Sequence, residues 1–430
     1  MRTITYGAPV AILLNLMAAP TIAAELTPAK PAVVGFSAAR LEQLDESMKA
    51  LVDQGELAGI VTHLTRHGRV VNFSAYGKQD LASGAPMRTD SIFRIYSMTK
   101  PITGVAMMIL YEQGKWHPED PLAKYIPEFA DLKVFSGTDR KGALILKPPG
   151  HAPTVGEVMS HTAGFTYGFF GDSPVDKMYQ QDNPLAKPSL QAFIERLAEI
   201  PLSYQPGDAW VYSVSVDIQG YLVEKLSGMP LPTFMQKHIF DPLEMVDTGF
   251  AVPADKLDRL ATIYGFDKAQ GLTPLPRDPN VSVVPGLPSG GGGLYSTARD
   301  YARFAQMLAN GGELDGARIL SPATVGLMRA NHLPDKLMTG EFGIGFQRMR
   351  PGFGFGYDVA VFEDPHQAGS TTGQGTYLWD GAAGTWFWID PTNDVVFVAM
   401  IQRMMSAGGM PQVQNLSRAL VHAALTEPER

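Results

Sequence analysis

The sequence predicts an α+β protein, an antiparallel sheet flanked by helices with a second, mostly helical domain beside it. Three observations lead there. Residues 59–77, "GIVTHLTRHGRVVNFSAYG", are β-branched and aromatic on either side of His67-Gly68, the pattern of two strands and a turn. Toward the other end, "GTYLWDG", "GTWFWIDP" and "DVVFVAMIQ" read as successive strands. Between these ends lies a proline-rich stretch whose apolar spacing is helical. Strands at both ends of one chain are expected to share one antiparallel sheet.

The elements follow in order. "MRTITYGAPVAILLNLMAAPTIAAE" has one arginine, an apolar run over 8–17, and small residues at Thr21 and Ala23. Residues 1–23 therefore read as a signal peptide, placing the mature protein in the periplasm or outside the cell; an uncleaved leader would leave it cytoplasmic. Asn15 and Pro20 interrupt the run, which falls short of the roughly 20 apolar residues of a spanning helix. A helix is expected over 38–52, then the hairpin, then an apolar helix over 101–114. Further helices are expected at 154–160, 190–199, 215–227, 231–239, 297–310 and 322–331. "FGIGFQRM" opens the strand-rich part, and a helix over 412–425 ends it. Residues 24–117 and 289–430 then form the sheet domain, with 118–288 inserted as the helical one.

Composition removes several functions. The chain has 430 residues, 45% of them hydrophobic, enough for a large core. Its net charge of −8, with basic residues dispersed, offers no cationic stripe for nucleic acid. It has 0 cysteines, so disulfides, thiolate catalysis and cysteine-ligated metals are excluded.

The chemistry centres on "FRIYSMTKPITGV", residues 93–105. Ser97 and Lys100 stand three apart where a loop enters a helix, so their side chains share a face. Lysine accepts a proton only when burial or a neighbouring cation lowers its pKa from about 10.4, and the surroundings here are apolar. The free N–H groups of a helix start favour the negative charge that an attacked carbonyl develops. Taken alone, the pair reads more readily as a capping serine and a solvated lysine. Tyr212, in "AWVYSVSVDIQGYLVEKLSG", lies in the turn before a helix that Ser215 can cap and Gly228 can end. It is either core packing or a phenol offered to that pair. Near Trp379, a backbone N–H at Gly381 or Ala382 could oppose the Ser97 N–H as an oxyanion hole.

Other candidates are weaker. "SHTAG" at 160–164 offers His161 as a base, yet sits between helical signals. His63 and His67 share a strand face at i and i+4 without the acidic partner of a metal site. "SGGGG" at 289–293 lacks the lysine of a phosphate loop and reads as a bend before a helix. "HQAGSTTG" at 366–373 reads as a pocket-rim loop. No G-x-S-x-G nucleophile elbow is present.

Five ordered segments, "FRIYSMTKPITG", "VGEVMSHTAGF", "YSVSVDIQGYLVE", "PSGGGGLYSTARDYARFAQMLANGG" and "LWDGAAGTWFWIDP", together resemble the serine β-lactamase and D,D-peptidase superfamily in its class C-like branch. Within that branch the chain is most similar to the family VIII carboxylesterases. The resemblance implies a β-lactamase/transpeptidase-like fold with Ser97 as nucleophile, Lys100 and Tyr212 as the base system, and the Trp379–Gly381 strand in the place of the family's K-T-G. It implies no cofactor and no metal. The lactam-cleaving relatives carry Y-x-N and K-T-G, whereas this chain has Tyr212-Ser213-Val214 and Trp379-Asp380-Gly381. The asparagine and lysine that would read a peptide-like amide and a carboxylate are absent. Short-chain neutral acyl esters are the expected substrates, cleaved through an acyl-enzyme. Asp380 would further repel anions if it faces the pocket. The alternatives are a β-lactamase or D,D-peptidase, or a penicillin-binding sensor that is acylated without turnover.

Overall fold

The computed structural model describes residues 26–338, 343–344, 347–348, 351–405 and 412–427; the leader lies outside them. The hairpin forms as its sequence requires. Strand β1 (Gly59–Arg66) turns through His67 and Gly68, at φ 51° and 67°, into β2 (Arg69–Gly77). Positive φ at both turn positions matches the strand twist. His67 thus lies in the turn and not on the strand face of His63, and it bonds Asp394.

Five C-terminal strands complete the sheet: β3 (Phe353–Phe355), β4 (Ala360–Phe362), β5 (Tyr377–Asp380), β6 (Trp386–Asp390) and β7 (Val395–Met400). The order is β3-β4-β5-β6-β7-β1-β2, antiparallel throughout. The two ends of the chain therefore meet where β1 pairs with β7, Val61 opposite Met400. Every residue of β1 is buried because both faces of the sheet are covered.

On one face lie α1 (Ala38–Asp53), through Leu41, Leu44 and Met48, and the C-terminal helix, through Val413 and Val421. They pack on Ile60, Leu64, Trp388 and Phe397. Burying each such side chain contributes about 1.5–3 kcal/mol. The helix over Ala298–Ala309 packs on the other face, and the larger core on that side also encloses α2 (Thr99–Glu112). Residues Thr99 to Leu110 of α2 are buried on every side. A helix apolar all round belongs inside a protein, and Lys100 is carried in with it.

The chain between the sheet's two parts supplies α3 (Val155–Met159), α4 (Pro174–Gln181), α5 (Leu190–Ala198), α6 (Ser215–Ser227) and α7 (Leu231–Met235). After it come α8 (Ala298–Ala309), α9 (Pro322–Met328) and α10, the C-terminal helix (Val413–Ala424). Thr154 and Glu157 form a capping box on α3, and Gly228 ends α6 at φ 71°. Ser215 is the first residue of α6 and not its cap, a position held by Val214. The proline-rich stretch also holds two small hairpins, Val134–Thr138 with Leu144–Lys147 and Tyr264–Asp267 with Gly271–Pro274. Their strands of four or five residues are too short for an alternating pattern to be read. Of "FGIGFQRM", only Gly343–Ile344 and Gln347–Arg348 are described, as a short antiparallel pair. Among the described residues no helix is long and apolar enough to cross a membrane.

Candidate active site

Three parts of the chain converge where the end of β5 meets the start of α2. Before the helix, residues Tyr96–Met98 make a tight 3-10 turn, entered through Tyr96 at φ 41°. A bulky side chain at positive φ costs on the order of 1–3 kcal/mol and persists only when its surroundings fix it. The Arg94 guanidinium lies over the Tyr96 ring, 4.9 Å from its centre. This turn leaves Ser97 half-buried at the helix mouth while Lys100, one turn on, is fully buried.

Lys100 Nζ donates to Ser97 Oγ at 3.2 Å, Tyr167 Oη at 2.9 Å and the Gly291 carbonyl at 2.6 Å. It also lies 4.6 Å from the centre of the Tyr212 ring. Burial lowers its pKa from 10.5 to about 8, against the upward pull of Asp217, Asp358 and Asp380. The surrounding acids and phenols move the other way. Burial raises Asp217 and holds Asp358 well above the carboxylate range, and it pushes Tyr167 and Tyr212 up.

Tyr212 sits in the turn before α6, as expected from the sequence. Among the described residues its hydroxyl and Trp379 Nε1 are buried without completing a hydrogen bond. Ser97 and Trp379 are nonetheless close enough to draw the phenol's pKa down against the larger upward effect of burial. The Tyr212 ring stands 5.4 Å from those of Tyr167 and Trp379 and 5.1 Å from His161. Phe169, Phe170, Trp210 and Phe355 extend this aromatic wall.

The end of β5 distinguishes the two candidate oxyanion donors. The Gly381 N–H donates to the Thr385 carbonyl at 2.7 Å and so is spent inside the hairpin. Any side chain at 381 would run into the Ile95 carbonyl, which is how closely β5 approaches the Ser97 segment. Among the described residues the N–H groups of Ser97 and Ala382 have no protein acceptor. Asp380 points the other way from Trp379, as alternation along a strand requires. Its Oδ2 accepts from Gln414 Nε2 of α10 at 3.0 Å, so it does not line the catalytic face.

Several secondary expectations change. His161 is buried and kept neutral, its pKa pulled well below 6.5 by burial and Lys100; it bonds Ser213 Oγ at 3.1 Å and packs behind Tyr212. Residues 366–373 are not a pocket rim. Gly373 N–H bonds Asp390, the far end of β6 from the Trp386 that pairs with Asp380. "SGGGG" does precede α8, but it also walls Lys100 through Gly291. Tyr167 and Asp217 were not singled out from the sequence. Tyr167 stands among 15 tyrosines and is marked only by following "SHTAGF" closely.

Comparison with known proteins identifies the family to which this fold belongs. Residues 44–418 match the model of the Beta-lactamase family. Protein Rv1367c of Mycobacterium tuberculosis is 36% identical over 83% of this chain and 88% of its own. Esterase EstB of Burkholderia gladioli is 31% identical over 83% of this chain and 89% of its own. The solved structure of EstCE1, a hydrolase with promiscuous acyltransferase activity, superposes with a TM-score of 0.73 at 27% identity, covering 90% of this chain and 98% of that one. A match over most of the length, in a chain whose serine and lysine meet at the end of one strand of an antiparallel sheet, makes this protein a member of the beta-lactamase family.

Proposed function

We propose that this protein is a serine carboxylesterase that cleaves short-chain, uncharged acyl esters through an acyl-enzyme. The observation that carries the reading is the Ser97 and Lys100 pair, 3.2 Å apart, with an amine whose pKa burial lowers to about 8. Ser97 Oγ attacks the ester carbonyl as its proton passes to neutral Lys100. The N–H groups of Ser97 and Ala382 receive the oxyanion, each such donor being worth about 10² to 10³ in rate. Tyr212 stands between Ser97 and Trp379 to carry the proton to the departing alcohol. Water then cleaves the acyl-serine by the reverse path.

Preference for esters over lactams rests on the lining. Val214 is 1% exposed and embedded in the core, and Trp379 packs on Tyr212 and Phe355. Val214 has no side-chain polar atom to bond an amide, and Trp379 carries no positive charge to attract a carboxylate. EstB is named an esterase, in agreement with this reading.

Ser97→Ala should stay folded and lose essentially all turnover of p-nitrophenyl acetate and butyrate, with nitrocefin turned over far more slowly by the wild type. A phosphonate should label Ser97 alone by mass spectrometry. Labelling of Ser160 or Ser213 instead would end the proposal.

A further inference from the structure

The glycine-rich loop 289–293 is stitched to the helices that carry the reactive groups. From α2, Thr103 Oγ1 donates to the Gly290 carbonyl at 2.7 Å, and Thr99 Oγ1 accepts from Leu294 N–H at 3.1 Å. From α6, one oxygen of Asp217 accepts twice, from Ser289 Oγ at 2.5 Å and from Gly291 N–H at 3.1 Å. The same peptide segment presents the Gly291 carbonyl to Lys100 Nζ at 2.6 Å. A carbonyl only accepts, so this bond holds one N–H of the amine in either protonation state. The rest of the amine is then directed at Ser97 Oγ and Tyr167 Oη.

No side chain fits in the loop at this point. A Cβ on Gly291 would lie 2.7 Å from Asp217 Oδ2 and 3.0 Å from Tyr167 Oη, and one on Gly290 would lie 2.6 Å from the Val216 carbonyl. Asp217 is fully buried, and among the described residues its Oδ2 has no partner. Burying a carboxyl with half its bonding capacity unused is unfavourable and needs a compensating role.

We propose that Asp217 is a positioning residue for the base: by clamping Ser289 and Gly291 it fixes the carbonyl that aims Lys100 at Ser97. This inference rests on the serine and lysine reading above. Asp217 acts through the loop and touches neither substrate nor the reacting atoms. The groups facing Lys100 are Tyr167 and Tyr212, with Asp217, Asp358, Asp380 and His161 acting on it or feeling its charge. Asp217 also draws the lysine's pKa upward. Removing its charge therefore moves the acid limb of kcat/KM to lower pH.

The test measures p-nitrophenyl butyrate hydrolysis against pH in Asp217→Ala, Asp217→Asn, Ser289→Ala and Gly291→Ala, with thermal melts to verify folding. Asp217→Ala should lower kcat at least thirty-fold with KM changed less than three-fold. Asp217→Asn keeps an oxygen that accepts from both donors, so it should recover at least a third of wild-type kcat with its limb at lower pH. Ser289→Ala removes one of the two clamps and should lower kcat three- to ten-fold. Gly291→Ala should resemble Asp217→Ala. A folded Asp217→Ala within three-fold of wild type would mean that Thr99 and Thr103 suffice to hold the loop, and would overturn the proposal. So would an Asp217→Asn as impaired as the alanine variant. Failure of the underlying reading looks different, because Ser97→Ala would then retain turnover.

Discussion

Titration of Lys100 is the sharpest test of the site. Its amine is fully buried and bonded to three neutral acceptors, and burial lowers its pKa from 10.5 to about 8. At about 1.4 kcal/mol per pKa unit, the shift corresponds to roughly 3 kcal/mol in favour of the neutral amine. With a pKa near 8, about a tenth of the enzyme holds a neutral lysine at pH 7; with 10.5 it would be about 0.03%, some 300-fold less. The sign is that of a base. Activity is present above the pKa and falls about ten-fold per unit below it, giving roughly a 90-fold rise in kcat/KM between pH 6 and 9.

The assay is kcat/KM for a non-ionising ester, corrected for spontaneous hydrolysis, because that parameter reports the free enzyme. Lys100→Arg keeps the positive charge but cannot be deprotonated. It should lose activity as fully as Lys100→Ala, and any residue should lack the limb. A wild-type profile flat from pH 6 to 9, a limb near 10, or a limb near 8 surviving in Lys100→Arg would refute lysine as the base.

Two other outcomes separate neighbouring groups. Tyr212→Phe should lower kcat by about 10² to 10⁴, the range for a positioned proton carrier, whereas Tyr167→Phe removes one bond to Lys100 worth about 1 kcal/mol and should cost roughly five-fold. Equal losses in steady-state assays would reject this division of labour. Asp380→Asn should leave the ratio of neutral to anionic ester hydrolysis within about two-fold, since that carboxylate bonds Gln414 behind the strand, while Trp379→Lys should shift the ratio about ten- to a hundred-fold toward anions. A large change from Asp380→Asn would place its charge in the substrate's field.

What could be read from the sequence follows from distance along the chain. Ser97 and Lys100 are set together by helix geometry, and the five-strand core of the sheet shows in composition. Tyr212 could be placed in a pre-helix turn, but only resemblance connected it to Ser97. The remaining contacts to Lys100 come from far away: Tyr167 is 67 residues distant and Gly291 is 191. No local pattern encodes such meetings. The side of the strand on which Asp380 falls depends on register, and a shift of one residue would have turned it toward the substrate. The displaced reading of 366–373 has the same origin, for its place was set by pairing along β6 and not by its own residues.

The way Lys100 is buried explains how the site keeps a usable base. A carboxylate in contact with Nζ would favour the ammonium and raise the pKa, making a stable ion pair and a poor proton acceptor. A dry apolar pocket would lower it further but leave the amine unaimed. Here the contacts are a hydroxyl, a phenol and a peptide carbonyl, so the amine is held by bonds that add no full charge. The carboxyls lie behind that layer: Asp217 grips the loop carrying the carbonyl, and Asp358 accepts from Gln219 Nε2 at 3.0 Å. Both are themselves pushed toward the neutral form by burial. While ionised each carboxyl pulls the lysine's pKa upward, so the burial that disfavours their charge limits how far they oppose the shift on which Ser97 depends.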